Sequence, residues 1–273
     1  MLSAILTQWI FDPSILAGLI CLWLIYWRYS FGPRAEREGS AERRHWSFGV
    51  ALILAFLALE SPLDVLADRY LFSAHMAQHL VLMLAVAPLL ALAVPPGFAA
   101  AARRRIPAAV GMVVAQPVVV FLAFVVDVWT WHAPPLYEAT LHNEGIHVLE
   151  HLSFIALAAL FWWIALAPIE TGRQLPALAR VAYVFVAGIP NTLLGALITF
   201  APSVLYPSYQ LALEQPGLGR ALQTQWGITA LGDQQLGGLL MWVPGGFVYL
   251  LAIVGIFISW FSRRQPLEPQ AVT

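Results

Sequence analysis

The chain has 273 residues, of which 60% are hydrophobic and 11% charged, with a net charge of −1 and a mean hydropathy of +0.75. A soluble domain is not built this way, and the near-zero net charge argues against a nucleic-acid partner. The single cysteine, Cys21, excludes an internal disulfide framework and a Cys-rich zinc or iron–sulfur site.

Long apolar runs recur along the chain and predict an all-α membrane protein of seven transmembrane helices in one bundle. The expected spans are residues 10–29, 46–61, 75–94, 108–131, 147–168, 180–200 and 236–261. The first has no basic n-region and no cleavage site, so it reads as a retained helix. The second is short and either extends through Ser61-Pro62 or sits tilted in thinned lipid. The bundle is expected to form one domain over residues 1–264, followed by a polar tail at 265–273.

All 14 basic residues are arginine. Arg28, Arg34, Arg37, Arg43 and Arg44 follow the first span, Arg103, Arg104 and Arg105 the third, Arg173 and Arg180 the fifth, and Arg263 and Arg264 the seventh. Only Arg69 and Arg220 fall in the alternate loops, which predicts an outside N-terminus and a cytoplasmic C-terminus. The arginine clusters are thereby explained by topology rather than by a ligand. Trp9, Tyr70, Trp129, Trp131, Tyr206 and Trp226 at the outer ends, with Trp27, Tyr29, Trp46 and Trp260 at the inner ends, read as interfacial belts.

Four of the seven histidines form two pairs of one kind, His75 with His79 in HMAQH and His147 with His151 in HVLEH. Residues four apart on a helix point the same way, and each pair opens a span from the outer side. Ionisable side chains are costly in a membrane and face the bundle interior, so two such pairs at one depth suggest a metal or cofactor site. His132 ends the fourth span and His142 lies in the following loop, on the same side; only His45 is inside, beside Arg43 and Arg44. Imidazole suits copper, zinc and iron, and Met76, adjoining His75, adds a soft thioether that favours Cu(I). Met83 lies one turn below His79, where core packing is the simpler reading.

Carboxylates and amides nearby are candidates to orient these ligands: Gln78 before His79, Glu150 before His151, and Asp127 below His132. Asp127 reads equally well as a structural hydrogen-bond partner between helices. Glu60 and Asp64 flank Ser61-Pro62, where Asp64 fits a helix cap better than a ligand. The last span opens with GDQQLGGLLMWVPGG, placing Asp233 and Gln234 at the depth of the histidines. Asp233 there suits either a metal or a helix N-terminus, and Gly237 and Gly238 allow another helix close approach. Pro190-Asn191 in the sixth span reads as a packed kink rather than a gate.

Several segments together resemble the CtaG family of cytochrome c oxidase assembly factors associated with caa-type oxidases. They are SPLD with AHMAQHLVLMLAVAPLL, WHAPPLYEATLHNEGIHVLEHLSFIALAALFWW, and DQQLGGLLMWVPGG, and the likeness runs from about residue 61 to 261. A separate family sharing that name has one membrane anchor and a Cys-based copper site, and this chain has neither. The resemblance implies a seven-span protein of the bacterial inner membrane that matures a haem–copper oxidase by handling copper. Cytochrome c oxidase subunits and a periplasmic copper chaperone are then the expected partners besides the bilayer. Matched by position, the family's polar residues fall on His75, Met76, Gln78, His79, His132, His142, His147, Glu150, His151, Asp233 and Gln234.

The expected metal set is therefore His75, His79, His147, His151, His132, His142, Met76 and Asp233, with Gln78, Glu150, Asp127 and Gln234 supporting it, and copper as the expected ion. Bis-histidine haem ligation across two helices is one alternative. A metal-dependent membrane enzyme with Glu150 or Asp127 as base is another, although no HExxH-like spacing supports it and an accessory role is preferred to catalysis. A retinal-type receptor is excluded because no lysine is available for a Schiff base.

Overall fold

The computed structural model describes residues 7–31, 41–166 and 175–262, and among these the regular structure is entirely helical. Helix α1 is Pro13–Ser30, α2 Ala41–Glu60, α3 Pro62–Arg69, and α4 runs over Phe72–Ala93. Then come α5 (Pro96–Arg105), α6 (Ala108–Val114), α7 (Pro117–Trp131), α8 (Pro134–His142) and α9 (Glu144–Leu166). The last four are α10 (Ala177–Thr199), α11 (Pro207–Glu214), α12 (Leu218–Trp226) and α13 (Ala230–Ser262). The polar tail expected at 265–273 lies outside the described residues, as do Arg34, Arg37, Arg173, Arg263 and Arg264.

Four helices, α4, α9, α10 and α13, are long and apolar enough to cross a membrane, and the count rises to six if two bent pairs each form one span. The protein is thus a multi-pass membrane protein. The first expected span, found as α1, is outside that set, so the structure carries four to six of the seven expected crossings. The second expected span begins earlier than its apolar run, at Ala41, and bends by 48° into α3. Pro62 causes the break: it starts α3 as a first-turn proline, and the Ser61 hydroxyl caps that turn by accepting from the Leu63 amide (3.2 Å). The fourth expected span is likewise divided, α6 and α7 meeting at 71° before Pro117.

Helix α4 is the centre of the bundle. Its membrane segment is 56% buried, against 22% for α13. A single π turn, Leu82–Val86, interrupts it just before Pro88. The Ala87 amide donates to the Leu82 carbonyl five residues back, and Pro88 has no N–H for the Met83 carbonyl. Trp162 on α9 supplies the missing donor, its indole Nε1 standing 2.9 Å from the Met83 oxygen. This bond locks α9 against α4 below the two histidine pairs.

Helix α13 packs between α10 and α4 through the expected glycine pair. A Cβ at Gly238 would stand 2.7 Å from the Gly195 carbonyl of α10, and one at Gly237 would collide with the Phe72 ring of α4. Both approaches require residues without side chains. Asn191, beside the Pro190 kink, donates to the Tyr249 hydroxyl of α13 at 3.1 Å, which fits the packing reading of that motif.

Candidate metal site

Both histidine pairs open their helices toward the same interior point. His75 and His79 lie in the first turns of α4, and His147 and His151 in the first turns of α9. Ligand atoms of His75, His79, Glu150 and His151 all lie within 4.8 Å of one another. The two pairs approach across helices, with ring centres of His79 and His151 5.1 Å apart and those of His75 and His147 5.3 Å apart.

Distances within the group bracket those between ligands of one ion. Donors about 2.1 Å from a tetrahedral metal stand about 3.4 Å from each other. Here His75 Nε2 is 2.8 Å from His79 Nε2, and the two nitrogens are 3.8 and 3.9 Å from Glu150 Oε2. Burial is complete at His75 and Glu150 and nearly so at His79 and His151. Yet both Glu150 oxygens, His79 Nδ1 and His151 Nε2 lack any hydrogen-bond partner. An unpaired buried carboxylate costs several kcal/mol, so Glu150 is held here at the expense of stability.

The proton on His75 is placed by its neighbours. The Tyr209 hydroxyl donates to the Ala67 carbonyl (2.9 Å), a group that only accepts. Tyr209 has one proton to give, so at 3.2 Å His75 Nδ1 carries the hydrogen and donates to the phenol oxygen. Tyr137 donates to the same oxygen from 2.9 Å. Burial raises both phenols, which lie on α8 and α11 outside the spans, well above the ordinary tyrosine range, so both stay protonated. His75 Nε2 is left as the lone-pair nitrogen facing the group, where it stands within hydrogen-bond distance of His79 Nε2. His132 is fixed the same way, Nδ1 donating to the Val128 carbonyl at 2.7 Å. Its Nε2 turns to the Met76 sulfur, 3.4 Å away, and its ring centre is 6.3 Å from that of His79.

The remaining expected residues are distributed around this centre. His147 faces Asp68, with Nε2 3.6 Å from Oδ1, and these two form a second close group with His75. Glu150, expected to support the ligands, stands among them. His142 is exposed, its Nδ1 donating to the Glu138 carbonyl at 2.7 Å, and lies outside both groups. Asp233 accepts from the Ser73 amide (3.3 Å) and from its hydroxyl, anchoring the first turn of α4. Gln78 donates to the Ala58 carbonyl (2.9 Å) and to Asp64 (2.6 Å), tying α4 to α2 and α3. Gln234 accepts from the Leu205 amide at 2.6 Å and so holds the loop before α11. Asp127 accepts from the Trp131 indole at 3.0 Å, and that indole also donates to Ser153 at 2.8 Å.

Three residues at the centre escaped the sequence reading. Asp68 follows Asp64 by one turn of α3, a spacing that could have marked it, but it fell in what was read as a loop. Tyr137 and Tyr209 carry no such signal, since a tyrosine near a span end reads first as an interfacial anchor.

Comparisons with known proteins agree with the family suggested by the motifs. An uncharacterized protein of Mycobacterium leprae is 26% identical over 277 aligned positions, covering 93% of this chain and 40% of the relative. Uncharacterized proteins of Mycobacterium bovis and Mycobacterium tuberculosis are each 24% identical over 289 positions, covering 97% of the chain and 41% of each relative. The chain therefore spans about two fifths of the length of the curated relatives it matches. No solved structure matches it. The family model of the cytochrome c oxidase caa3 assembly factor matches residues 21–263, reaching well before the motifs that first suggested it, and the chain belongs to that family.

Proposed function

We propose that this protein binds copper at the His75–His79–His151–Glu150 centre and supplies it to a haem–copper oxidase during assembly. The observation that carries this reading is a buried His75–His79–His151–Glu150 group whose ligand atoms lie within 4.8 Å of one another and in which the Glu150 oxygens and His151 Nε2 have no hydrogen-bond partner. Three imidazoles and a carboxylate suit a borderline transition metal such as copper or zinc, and the Met76–His132 pair beside them favours copper. Membership of an oxidase assembly family supplies the destination. Bis-histidine haem ligation is less well supported. It needs two imidazoles from facing helices on opposite sides of an iron, whereas the ring centres of His79 and His151 are 5.1 Å apart and those of His75 and His147 5.3 Å, less than the roughly 6 Å that metal–nitrogen bonds of about 2 Å on either side would set.

The protein lies in the bacterial inner membrane with seven spans, the histidine end facing the periplasm and the arginine-rich end the cytoplasm. Clustering of arginines at the opposite end supports this, where Arg105 of α5 donates to the Tyr29 hydroxyl of α1 (3.3 Å). Reporter fusions after Arg105 and after Glu214 should report cytoplasm and periplasm respectively; the reverse would overturn the orientation. Partners on this reading are oxidase subunits and a periplasmic copper chaperone.

Metal analysis of the purified chain together with its visible spectrum tests the assignment. Copper without a Soret band is expected, and a Soret band with haem iron would overturn it. In cells, the stably inserted double variant His79→Ala, His151→Ala should leave the oxidase short of copper. A fully copper-loaded oxidase in that strain would leave a scaffolding role instead.

A further inference from the structure

Two metal-ligand groups share a single residue. His75 belongs both to the buried centre and to the group with Asp68 and His147. The groups differ in access to solvent: the Glu150 side chain is 0% exposed, whereas Asp68 is 34% and His147 13% exposed. Asp68 also lines a surface pocket of about 460 Å³ together with His142, Tyr209 and Ala212. The pocket meets the histidine cluster through Asp68, which faces His147, and through Tyr209, which contacts His75 Nδ1.

Asp68 and His147 do not form a hydrogen-bonded pair. Their closest atoms are 3.6 Å apart, and neither His147 Nε2 nor Asp68 Oδ1 has a hydrogen-bond partner. That spacing exceeds a hydrogen bond and agrees with the ~3.4 Å between two donors on one tetrahedral ion. A second set of unpaired donors therefore stands between the pocket and the buried centre, joined to it by His75.

We propose that Asp68, His147 and His75 form an outer metal station through which copper reaches and leaves the buried centre. The proposal rests on the copper-binding reading above. An ion taken from the pocket binds Asp68 and His147 first and acquires His75. It then exchanges Asp68 and His147 for His79, His151 and Glu150 while His75 stays attached. Donors are substituted one at a time with no change in oxidation state, so the ion is never released bare into the apolar interior. Tyr209 supports the exchange by holding the His75 Nδ1 proton, which leaves Nε2 as the nitrogen His75 can offer to an ion. His142, with Nδ1 likewise engaged, presents Nε2 near the pocket as a first point of capture.

A route that serves both directions makes a kinetic prediction that a simple ligand does not. Removing one ligand weakens binding mainly by speeding release, whereas closing a route slows loading and release together. The full chain in detergent is mixed with the bis-glycinate complex of Cu(II), loading is followed by quenching of tryptophan fluorescence, and release is followed into excess EDTA. In Asp68→Asn, loading should slow about tenfold or more, as for loss of a residue supporting a metal site, and release should slow as well. Ala212→Phe, which fills the pocket without touching a ligand group, should slow both rates in the same sense. Glu150→Gln should instead accelerate release.

Loading at the wild-type rate in both Asp68→Asn and Ala212→Phe would overturn the outer station and leave the buried site standing. Faster release in Asp68→Asn would overturn it too, making Asp68 an ordinary ligand or charge partner. A wild-type chain that takes up no copper would overturn the copper reading itself and the outer station with it.

Discussion

The two halves of the bundle differ in how closely unpartnered buried polar atoms gather. Below the π turn of α4 the interior is aromatic and closed: Phe124 stacks on Phe161 at 4.9 Å, Phe161 on Tyr183 at 4.9 Å, and Trp162 on Tyr249 at 5.9 Å. Of the polar groups that enter it, Trp162 pairs with the Met83 carbonyl and Asn191 with Tyr249, while the Tyr183 hydroxyl has no partner. Above the turn, Glu150, His79 and His151 are equally buried and leave four donor atoms unpaired. Unpartnered buried atoms thus gather where the two histidine helices meet rather than in the aromatic half. On the copper-binding reading proposed above, the upper half trades stability for a place to put a cation, and the lower half holds it rigid.

That contrast is broken most directly by truncating a ligand. His79→Ala should reduce copper affinity by more than the 10- to 100-fold typical of supporting residues, that is by more than about 100-fold, in competition with a chelator of known affinity. It should also remove the rise in melting temperature that copper confers on the wild type, because a bound ion stabilises only the folded state. In the lower half the effects should be reversed. Phe161→Ala should cost about 3 kcal/mol of stability through the cavity it leaves, with copper stoichiometry unchanged. Loss of copper binding in that variant would show that the halves are not separable.

Smaller changes sharpen the comparison. Tyr209→Phe removes the acceptor that holds the His75 Nδ1 proton, so His75 loses its fixed tautomer. Copper affinity should fall by about tenfold, at the low end for a second-layer contact, with little effect on folding. Met83→Leu should be the mildest: a volume-conserving core exchange costing less than about 1.5 kcal/mol, with affinity unchanged. A marked loss of copper in Met83→Leu would place its sulfur among the ligands rather than in the core cluster where it packs.

Legibility in the sequence followed the range of the interaction. The helical class and the histidine pairs depend on local spacing, and α4 and α9 bring together the residues that the i, i+4 pattern placed on their inner faces. The glycine pair Gly237-Gly238 was likewise readable, since close approach needs nothing beyond small residues. Breaks in the spans were less so. Pro62 and Pro117 start new helices at angles of 48° and 71°, and an apolar window averages across such bends. Roles within the site were hidden because they depend on contacts across the bundle. Glu150 and His147 lie one turn apart on α9, and only the packing of α3 and α4 sets one carboxylate among the buried imidazoles and turns one imidazole toward Asp68. The same holds for Asp233 and Gln78, which were placed at the right depth but whose partners, Ser73 and Asp64, lie on other turns and other helices.

X-ray absorption at the copper edge tests the central claim most directly, on the purified full chain loaded with one equivalent of copper. The account predicts a first shell of nitrogen and oxygen at about 2.0 Å with the outer scattering of several imidazole rings, and its collapse in the His79→Ala, His151→Ala double variant. A copper environment unchanged in that variant, or one built without imidazole, would contradict it.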